Sequence, residues 1–310
     1  MEREKPSDYP QKPRDLFHAG RHERIDRRAF LEGARRFTVS GLTAGAVFGM
    51  AGSNTHPASA RVLDELRLRY TFQISVDVAT LQLGLEVAAA ALKGGVHIVE
   101  MGTPLLKNEG VSNVVPAFRK QFPKALLLAD MKTMDGGGGE ARSVYAGGGN
   151  IVDFLALAGV DTAKSVCAVR DEFRRSGSEL PRLAFADILV PHQGPAAQAA
   201  EAALRMLEAG VDGVGVHLQF DARHANPKLI ESDVLGDIAR AIFERVGKTA
   251  PVQVVGGLSI AQAKRLARAG LRAFVISGNL GQPDGVARYD LPPAQIERLI
   301  AGFIAEVSGA

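Results

Sequence analysis

The chain has 310 residues, of which 46% are hydrophobic and 23% charged, as is ordinary for a globular enzyme. The first 36 residues hold 10 basic and 7 acidic side chains, and the remainder holds 27 of each, so the net charge of +3 comes from the amino-terminal segment. This balance argues against a nucleic-acid-binding surface on the folded part. The single Cys167 excludes an internal disulfide and a metal site built from several cysteines.

The amino-terminal segment has the order of a twin-arginine export signal. Residues 26–31 read DRRAFL, an apolar and glycine-rich stretch follows over residues 37–51, and Ala58-Ser59-Ala60 fits a cleavage site. The apolar stretch is too short for a spanning helix, which needs roughly 20 apolar residues. We therefore expect residues 1–60 to be a non-globular leader of an exported, periplasmic protein without a membrane span. A basic extension with no export function, on a cytoplasmic protein, is the alternative.

From Tyr70 onward, short apolar runs alternate with amphipathic helical stretches, which is typical of repeated βα units on a parallel sheet. The helix predicted over residues 259–269 begins with the capping box Ser259-x-x-Gln262. The predicted strands are Phe72–Val78, His97–Met101, Ala125–Met131, Ile151–Ala156, Arg182–Val190, Gly213–His217, Val252–Gly256 and Arg272–Ser277. Eight units favour a (β/α)8 TIM barrel over residues 61–310, with a doubly wound open sheet as the alternative.

Ionisable residues stand at or near the ends of five predicted strands. In a (β/α)8 barrel the active site lies at the carboxyl ends of the strands, so these side chains are expected to face one bowl. Any one acid at such a position is as easily explained as a helix cap, and the convergence of several is what favours a site. The residues are Asp77, Glu100, Asp130 with Lys132, Asp187 and His217.

The third strand ends in the spacing Asp130-x-Lys132-x-x-Asp135, which sets two carboxylates around one ammonium group. Such a cluster can tune the charge of the lysine or polarise an oxyanion. Glu100 and Asp130 come from adjacent strands and have the hard oxygen ligands that Mg²⁺ prefers. A structural cluster of ion pairs explains the same spacing equally well.

Two glycine turns follow the seventh and eighth predicted strands, where barrels of this kind usually bind phosphate. Gly256-Gly257 and Gly278-Asn279 offer bare backbone N–H groups to an anion. We therefore predict a phosphate site there. His192 follows the fifth strand after Pro191 and could reach the bowl as a second acid–base group, but a loop histidine at this position is expected on the surface.

Asp77, the segment Glu100-Met101-Gly102-Thr103-Pro104-Leu105, the run from Ala129 to Asp135, Val216-His217 and Val255-Gly256-Gly257 together resemble 3-hexulose-6-phosphate synthase of the orotidine-monophosphate-decarboxylase group. The resemblance covers residues 72–308. It implies a reversible aldol reaction in which formaldehyde adds to D-ribulose 5-phosphate through a metal-stabilised enediolate.

Carried over by residue, the resemblance implies that Glu100 and Asp130 bind Mg²⁺, that Lys132 and Asp77 bind or polarise the sugar, and that His217 transfers protons. Asp187 is a candidate for substrate binding. Backbone N–H groups of Gly256, Gly257, Gly278 and Asn279 would hold the phosphate. Asp135 would reach the neighbouring subunit's site, which implies a homodimer with shared active sites.

Three other functions remain open. A 3-keto-L-gulonate-6-phosphate decarboxylase has an arginine just after the sixth-strand histidine, whereas this chain has Leu218-Gln219-Phe220 there, which is also bulkier than the synthase pattern. Orotidine-monophosphate decarboxylase shares the D-x-K-x-x-D spacing but lacks the segment that begins at Glu100. An exported barrel that only binds a sugar-like ligand would reconcile the leader with the fold.

Overall fold

Eight short apolar segments pair side by side as parallel strands and close on themselves, β1 with β8, in the computed structural model of the chain. The structure describes residues 56–226, 228–231 and 233–310. The strands are β1 Thr71–Val76, β2 Ile98–Met101, β3 Leu126–Asp130, β4 Ile151–Leu155, β5 Leu183–Val190, β6 Gly213–Leu218, β7 Val252–Val255 and β8 Ala273–Ile276. The predicted (β/α)8 TIM barrel is confirmed, and the open sheet is excluded by the pairing of β1 with β8.

Helices cover the outside of the barrel. Almost every strand residue is therefore buried, whether its side chain points inward or outward, as is usual for parallel strands. The predicted capping box is present, because Ser259 accepts a hydrogen bond from the backbone of Gln262 and the Gln262 side chain accepts one from the backbone of Ser259. The helices are α1 Pro57–Leu68, α2 Leu81–Lys93, α3 Thr103–Glu109, α4 Val111–Gln121, α5 Gly137–Ala146, α6 Gly159–Arg175, α7 Ala196–Glu208, α8 Phe220–Ala225, α9 Lys228–Glu231, α10 Val234–Val246, α11 Ile260–Arg268 and α12 Pro293–Ser308.

The inside of the barrel has an apolar layer at the amino ends of the strands and a polar layer at their carboxyl ends. Side chains alternate along each strand, so the inward residues of β4 are Ile151 and then Asp153, and those of β5 include Phe185 and then Asp187. Lower inward positions are apolar, whereas upper ones are acids, amides and a histidine. The sequence thereby places the polar layer around a cavity at one end.

Helix α1 packs against the apolar layer at the amino end. Val62 and Leu66, four residues apart on one face, are buried against a cluster drawn from β2 to β5. The Ser59 hydroxyl donates to the Arg182 carbonyl (3.3 Å) and accepts from the Arg182 N–H (3.0 Å), just before β5. This helix was not among the predicted elements, and it begins inside the segment assigned to the leader.

Residues 1–55 of the predicted leader, with the paired arginines and the apolar stretch, lie outside the described residues. The last residues of that segment are described. Ala58, Ser59 and Ala60, the predicted cleavage site, form part of the first turns of α1, and Ser59 is fully buried. Among the described residues, no helix combines the length and the apolar character needed to cross a membrane.

Candidate active site

A cavity of about 500 Å³ opens at the carboxyl end of the barrel. Inward-facing residues of all eight strands form its floor and walls. The loops after β2, β6, β7 and β8 form its rim. Asp77, Glu100, Asp130, Lys132, Asp187, His217, Gly256, Gly257, Gly278 and Asn279, all predicted from the sequence, line this cavity. The predicted bowl is therefore assembled as one space.

Lys132 is the centre of the charged network. Its Nζ atom donates to Asp130 Oδ1 at 2.7 Å and to Asp187 Oδ2 at 2.9 Å. Burial disfavours the ammonium form, but Asp187, Asp130 and Asp153 outweigh that effect and raise the pKa of Lys132 well above its ordinary value. An ammonium group has three protons. Two are held by these carboxylates. Nζ also lies 3.3 Å from His217 Nδ1, but that nitrogen itself donates to Asp187, so the third proton is available for an oxygen atom in the cavity.

His217 and Asp187 form a second pair beside the lysine. Although Asp187 is buried, Lys132 and His217 lower the pKa of its carboxyl group, so Asp187 is ionised and accepts hydrogen bonds only. His217 Nδ1 lies 2.9 Å from Asp187 Oδ2 and must carry the proton of that bond. This leaves Nε2 of the neutral ring unprotonated, as a general base requires.

Two glycines give the carboxylates their room. A Cβ atom at Gly215 on β6 would lie 2.1 Å from Asp187 Oδ1, and one at Gly102 would lie 2.2 Å from Asp77 Oδ1. Any side chain at either position would therefore displace an acid of the cavity. Gly102 belongs to the segment after β2 that carries the family resemblance, so the structure gives that glycine a physical role.

Asp153 on β4 is a site residue that the sequence analysis missed. Its side chain and those of Asp130 and Asp187 bring carboxylate oxygens within 4.8 Å of one another. Burial, together with Asp187, raises the pKa of Asp153 well above its ordinary value. Its Oδ1 atom is buried and has no hydrogen-bond partner within the described part of the chain. Asp153 thus belongs to a cluster of acids and has a buried oxygen atom that no described group binds.

Ser75 and Gln73 on β1 form hydrogen bonds with Glu100, one of the two predicted metal ligands. The Ser75 hydroxyl lies 2.9 Å from Glu100 Oε1 and 2.7 Å from Asp77 Oδ2, and its one proton can serve only one of them at a time. Gln73 donates to the other oxygen of Glu100 and accepts from Gln253. Burial, with Asp130 and Asp77 close by, raises the pKa of Glu100 well above its ordinary value.

The opposite side of the cavity is built from backbone. Gly256 and Gly257 have φ angles of +127° and +70°, a region that glycine adopts without strain. Across the described residues, the N–H groups of Gly256, Gly278 and Asn279 have no hydrogen-bond acceptor. The Asn279 side chain donates to the carbonyls of Gly257, Leu258 and Gln282, so it ties the two turns together. Because the side-chain amide is already used, only the backbone N–H of Asn279 is available for the predicted contact with phosphate.

Two predicted residues lie outside the cavity. Asp135 is exposed on the segment after β3 and accepts a hydrogen bond from the Gly136 N–H at 2.7 Å. Its proposed role in a second subunit's site stays a prediction. His192 is exposed and contacts Gln219, so it lies on the surface as expected.

Arg223, on α8, was also missed. The sequence has no arginine directly after His217, yet α8 brings this one to the cavity rim six residues further along. Its contacts are with Gly256, Gly257 and the ring of Phe220. Arg223 therefore lies on the side of the cavity that the two glycine turns form, and not on the side that holds His217.

The fold agrees with comparisons to known proteins. Residues 70–274 match the family described as orotidine 5'-phosphate decarboxylase / HUMPS. The 3-hexulose-6-phosphate synthase of Mycobacterium gastri is 30% identical over 206 residues, which cover 66% of this chain and 89% of that protein. A crystal structure of a 3-hexulose-6-phosphate synthase has a TM-score of 0.60 at 26% identity and covers 75% of this chain and 99% of its own.

A decarboxylase of the same fold was also found. A crystal structure of KGPDC from Streptococcus mutans has a TM-score of 0.61, covering 77% of this chain and 98% of its own. Its identity of 19% makes it a relative in fold only. From the family match and the synthase relatives together, the chain belongs to the orotidine 5'-phosphate decarboxylase / HUMPS family, as an enzyme of the branch that includes the 3-hexulose-6-phosphate synthases.

Proposed function

We propose that this enzyme is an aldehyde-lyase that condenses formaldehyde with D-ribulose 5-phosphate to D-arabino-hex-3-ulose 6-phosphate. One observation carries the proposal: a single cavity joins the Lys132, His217 and Asp187 group to a wall of free backbone N–H groups. Such a space can hold a short phosphorylated sugar with its reacting carbons at the charged side and its phosphate at the glycine side.

In this orientation His217 Nε2 removes a proton from carbon 1 of the sugar, and the electron pair moves to the oxygen on carbon 2. Lys132 uses its third N–H to stabilise the negative charge that develops on that oxygen, while Asp187 holds the imidazole ring in place. Carbon 1 then attacks the carbonyl carbon of formaldehyde. A new carbon–carbon bond forms, and a proton returns to the former formaldehyde oxygen.

The residues around Lys132 also fit a divalent cation. Carboxyl groups at positions 77, 100, 130, 153 and 187 surround one ammonium group, the Ser75 proton is shared between two of them, and Asp153 Oδ1 has no partner among the described atoms. Carboxylate oxygens are the ligands that Mg²⁺ prefers. Glu100 and Asp130 would hold the ion, with Asp153 adjacent. Bound there, it would supply Lewis-acid stabilisation of charge on the substrate's oxygen atoms.

The homodimer remains part of the proposal. Asp135 and its neighbour Met134 are exposed on the segment after β3, and Met134 is 55% exposed, an unusual state for a large apolar side chain. We propose that this segment meets a second subunit and that Asp135 enters the partner's cavity. Mixed dimers of Asp135→Asn and His217→Asn chains would then regain about one quarter of the wild-type turnover, because only hybrid dimers contain an intact site.

The test of the reaction is formaldehyde consumption by the full-length chain with ribulose 5-phosphate, with Mg²⁺ or with EDTA. The expected result is consumption that requires both the metal and His217, with His192→Asn as a matched surface control that retains activity. Metal-independent consumption would remove the ion from the mechanism. Release of carbon dioxide from 3-keto-L-gulonate 6-phosphate, without formaldehyde consumption, would assign the decarboxylase reaction instead. Binding of the sugar phosphate without any turnover would assign a binding protein.

A further inference from the structure

Arg223 is a cation of the cavity wall that has no acidic partner among the described residues. Lys132 is paired with Asp130 and Asp187, and Arg170 is paired with Asp212. The guanidinium of Arg223 is half-buried and makes one hydrogen bond, from Nη1 to the Gly256 carbonyl at 3.0 Å. No carboxylate of the described residues lies within ion-pair distance of it.

The guanidinium lies directly against the first glycine turn. A Cβ atom at Gly257 would be 1.8 Å from Nη1 and 3.5 Å from Nη2, so the group occupies the space that a side chain at position 257 would need. The guanidinium also lies over the ring of Phe220, with its carbon atom 5.5 Å from the ring centroid. The position is thus fixed by the turn and by the ring rather than by an ion pair.

A buried positive charge without a counter-charge is costly unless a ligand provides one. Burial lowers the pKa of Arg223, which is the sign of this cost, and Arg223 still keeps its charge at neutral pH. Only one of its N–H groups has a protein acceptor within the described chain. The free N–H groups of Gly256, Gly278 and Asn279 lie in the same part of the cavity. Asp221, the one acid of α8, is exposed and makes no ion pair with Arg223.

We propose that Arg223 binds the phosphate group of the substrate, supplying the positive charge that the backbone N–H groups of the two glycine turns lack. The inference rests on the proposed function, since it assumes a phosphorylated sugar. A guanidinium group matches phosphate in shape and donates two hydrogen bonds at once. Arg223 would therefore set both the affinity for the phosphate and the direction in which the sugar enters.

The alternative role for Arg223 is structural, as a clamp on the Gly256 carbonyl. Two variants separate the roles: Arg223→Met keeps most of the side-chain volume without charge, and Arg223→Lys keeps the charge without the planar donor group. Arg240→Met is the matched control, because Arg240 on α10 is partly exposed and paired with Asp233 and Asp237 outside the cavity. Thermal unfolding of each variant reports on the structural role.

The experiment measures the dissociation constant of inorganic phosphate by calorimetry, and KM for ribulose 5-phosphate against unphosphorylated ribulose. Arg223→Met should weaken phosphate binding and raise KM for the phosphosugar by about 10- to 100-fold, with ribulose itself unaffected. Arg223→Lys should recover part of the loss. The melting temperature should stay within a few degrees of the wild type, because the charge removed is an unpaired one.

Phosphate affinity unchanged in Arg223→Met would overturn the inference and leave the proposed reaction standing. A wild-type protein that binds no phosphate would overturn it as well. Phosphate binding that depends on Arg223, in an enzyme that turns over no ribulose 5-phosphate, would support the inference and defeat the proposed reaction. The two failures are therefore distinguishable.

Discussion

The two ends of the barrel use their polar groups differently. At the amino end, Arg119 donates to the carbonyls of Gly148, Phe122 and Ala125, and the Arg182 backbone pairs with Ser59, although Arg182 Nε and Thr71 Oγ1 are buried without a partner among the described atoms. At the carboxyl end, acids crowd one lysine, Asp153 Oδ1 lacks a described partner, and backbone N–H groups face open space. The charged groups of the amino end bind mainly to the chain itself, whereas those of the carboxyl end surround a cavity that a ligand can enter.

The sharpest test of this contrast is Lys132→Met. The substitution removes the only ammonium group of the cluster, and we expect turnover to fall by about 10³- to 10⁴-fold. The unneutralised acids should also make the metal-free protein less stable. Formaldehyde consumption and thermal unfolding measure both effects. Turnover within about 10-fold of the wild type would show that the cluster around Lys132 is structural.

His217→Asn tests the carboxyl end with less disturbance of charge. The amide can still donate to Asp187, but it has no basic nitrogen, so we expect turnover to fall by about 10²-fold or more while unfolding is almost unchanged. The measurement is kcat with saturating ribulose 5-phosphate, beside the folded fraction from circular dichroism. A matching loss of stability and activity would place His217 among the residues that hold the fold.

Metal and pH should both change the stability of the protein through the acids of the carboxyl end. Burial raises the pKa of Glu100, so the folded protein holds that proton to a higher pH than the unfolded chain does. Its contribution to stability is present below the unfolded pKa and is lost as pH rises through the folded pKa. In EDTA the melting temperature should therefore fall as pH rises toward neutrality, and Mg²⁺ should restore it.

Glu100→Gln is the control for this pH effect. The variant has no titratable group at position 100, so its melting temperature in EDTA should fall less with rising pH and respond less to Mg²⁺. An equal pH dependence in the two proteins would assign the effect to other groups.

A substitution at the amino end should lower the stability of the protein without changing its turnover, and the effect should be smaller than those at the carboxyl end. Ser59→Ala leaves the buried N–H of Arg182 without its partner, which costs about 1–3 kcal/mol of unfolding free energy. Turnover at 25 °C should not change. Thermal unfolding measures the loss, at about 2–4 °C per kcal/mol for a domain of this size. A chain that begins at Arg61 should lose more, since it also lacks the first turn of α1. Equal stability of chains beginning at His56 and Arg61 would contradict this role of α1.

The strands were predictable because each is a short apolar run bounded by glycine or polar residues, and the predicted runs overlap every observed strand. The ionisable residues at the carboxyl ends of β1, β2, β3 and β6 were predictable because each stands at or next to the end of an apolar run. Asp153 was missed because it lies inside an apolar strand. The alternation of side chains along β4 could have revealed it. Asp153 is two residues after Ile151, which faces the apolar layer, so both side chains point into the barrel.

Arg223 and α1 were missed for other physical reasons. The approach of Arg223 to Gly257 depends on the path of the chain between β6 and α8, which no local pattern encodes. The cue for α1 was visible, with Pro57 at a helix start and Val62 and Leu66 four residues apart, but the small residues of Ala58-Ser59-Ala60 also fit a cleavage site. A single stretch can satisfy two patterns, and only packing chooses between them.

The backbone of Lys132 has a φ angle of +47°, a left-handed conformation that costs a residue with a side chain about 1 kcal/mol or more. For anyone redesigning this barrel for heat resistance, position 132 is the tempting substitution, because glycine there would relieve the backbone. That gain would remove the ammonium group on which the cavity depends. The strained conformation therefore lowers the stability of the protein at a residue that the cavity needs. Stabilising substitutions should be made at the amino end of the barrel instead.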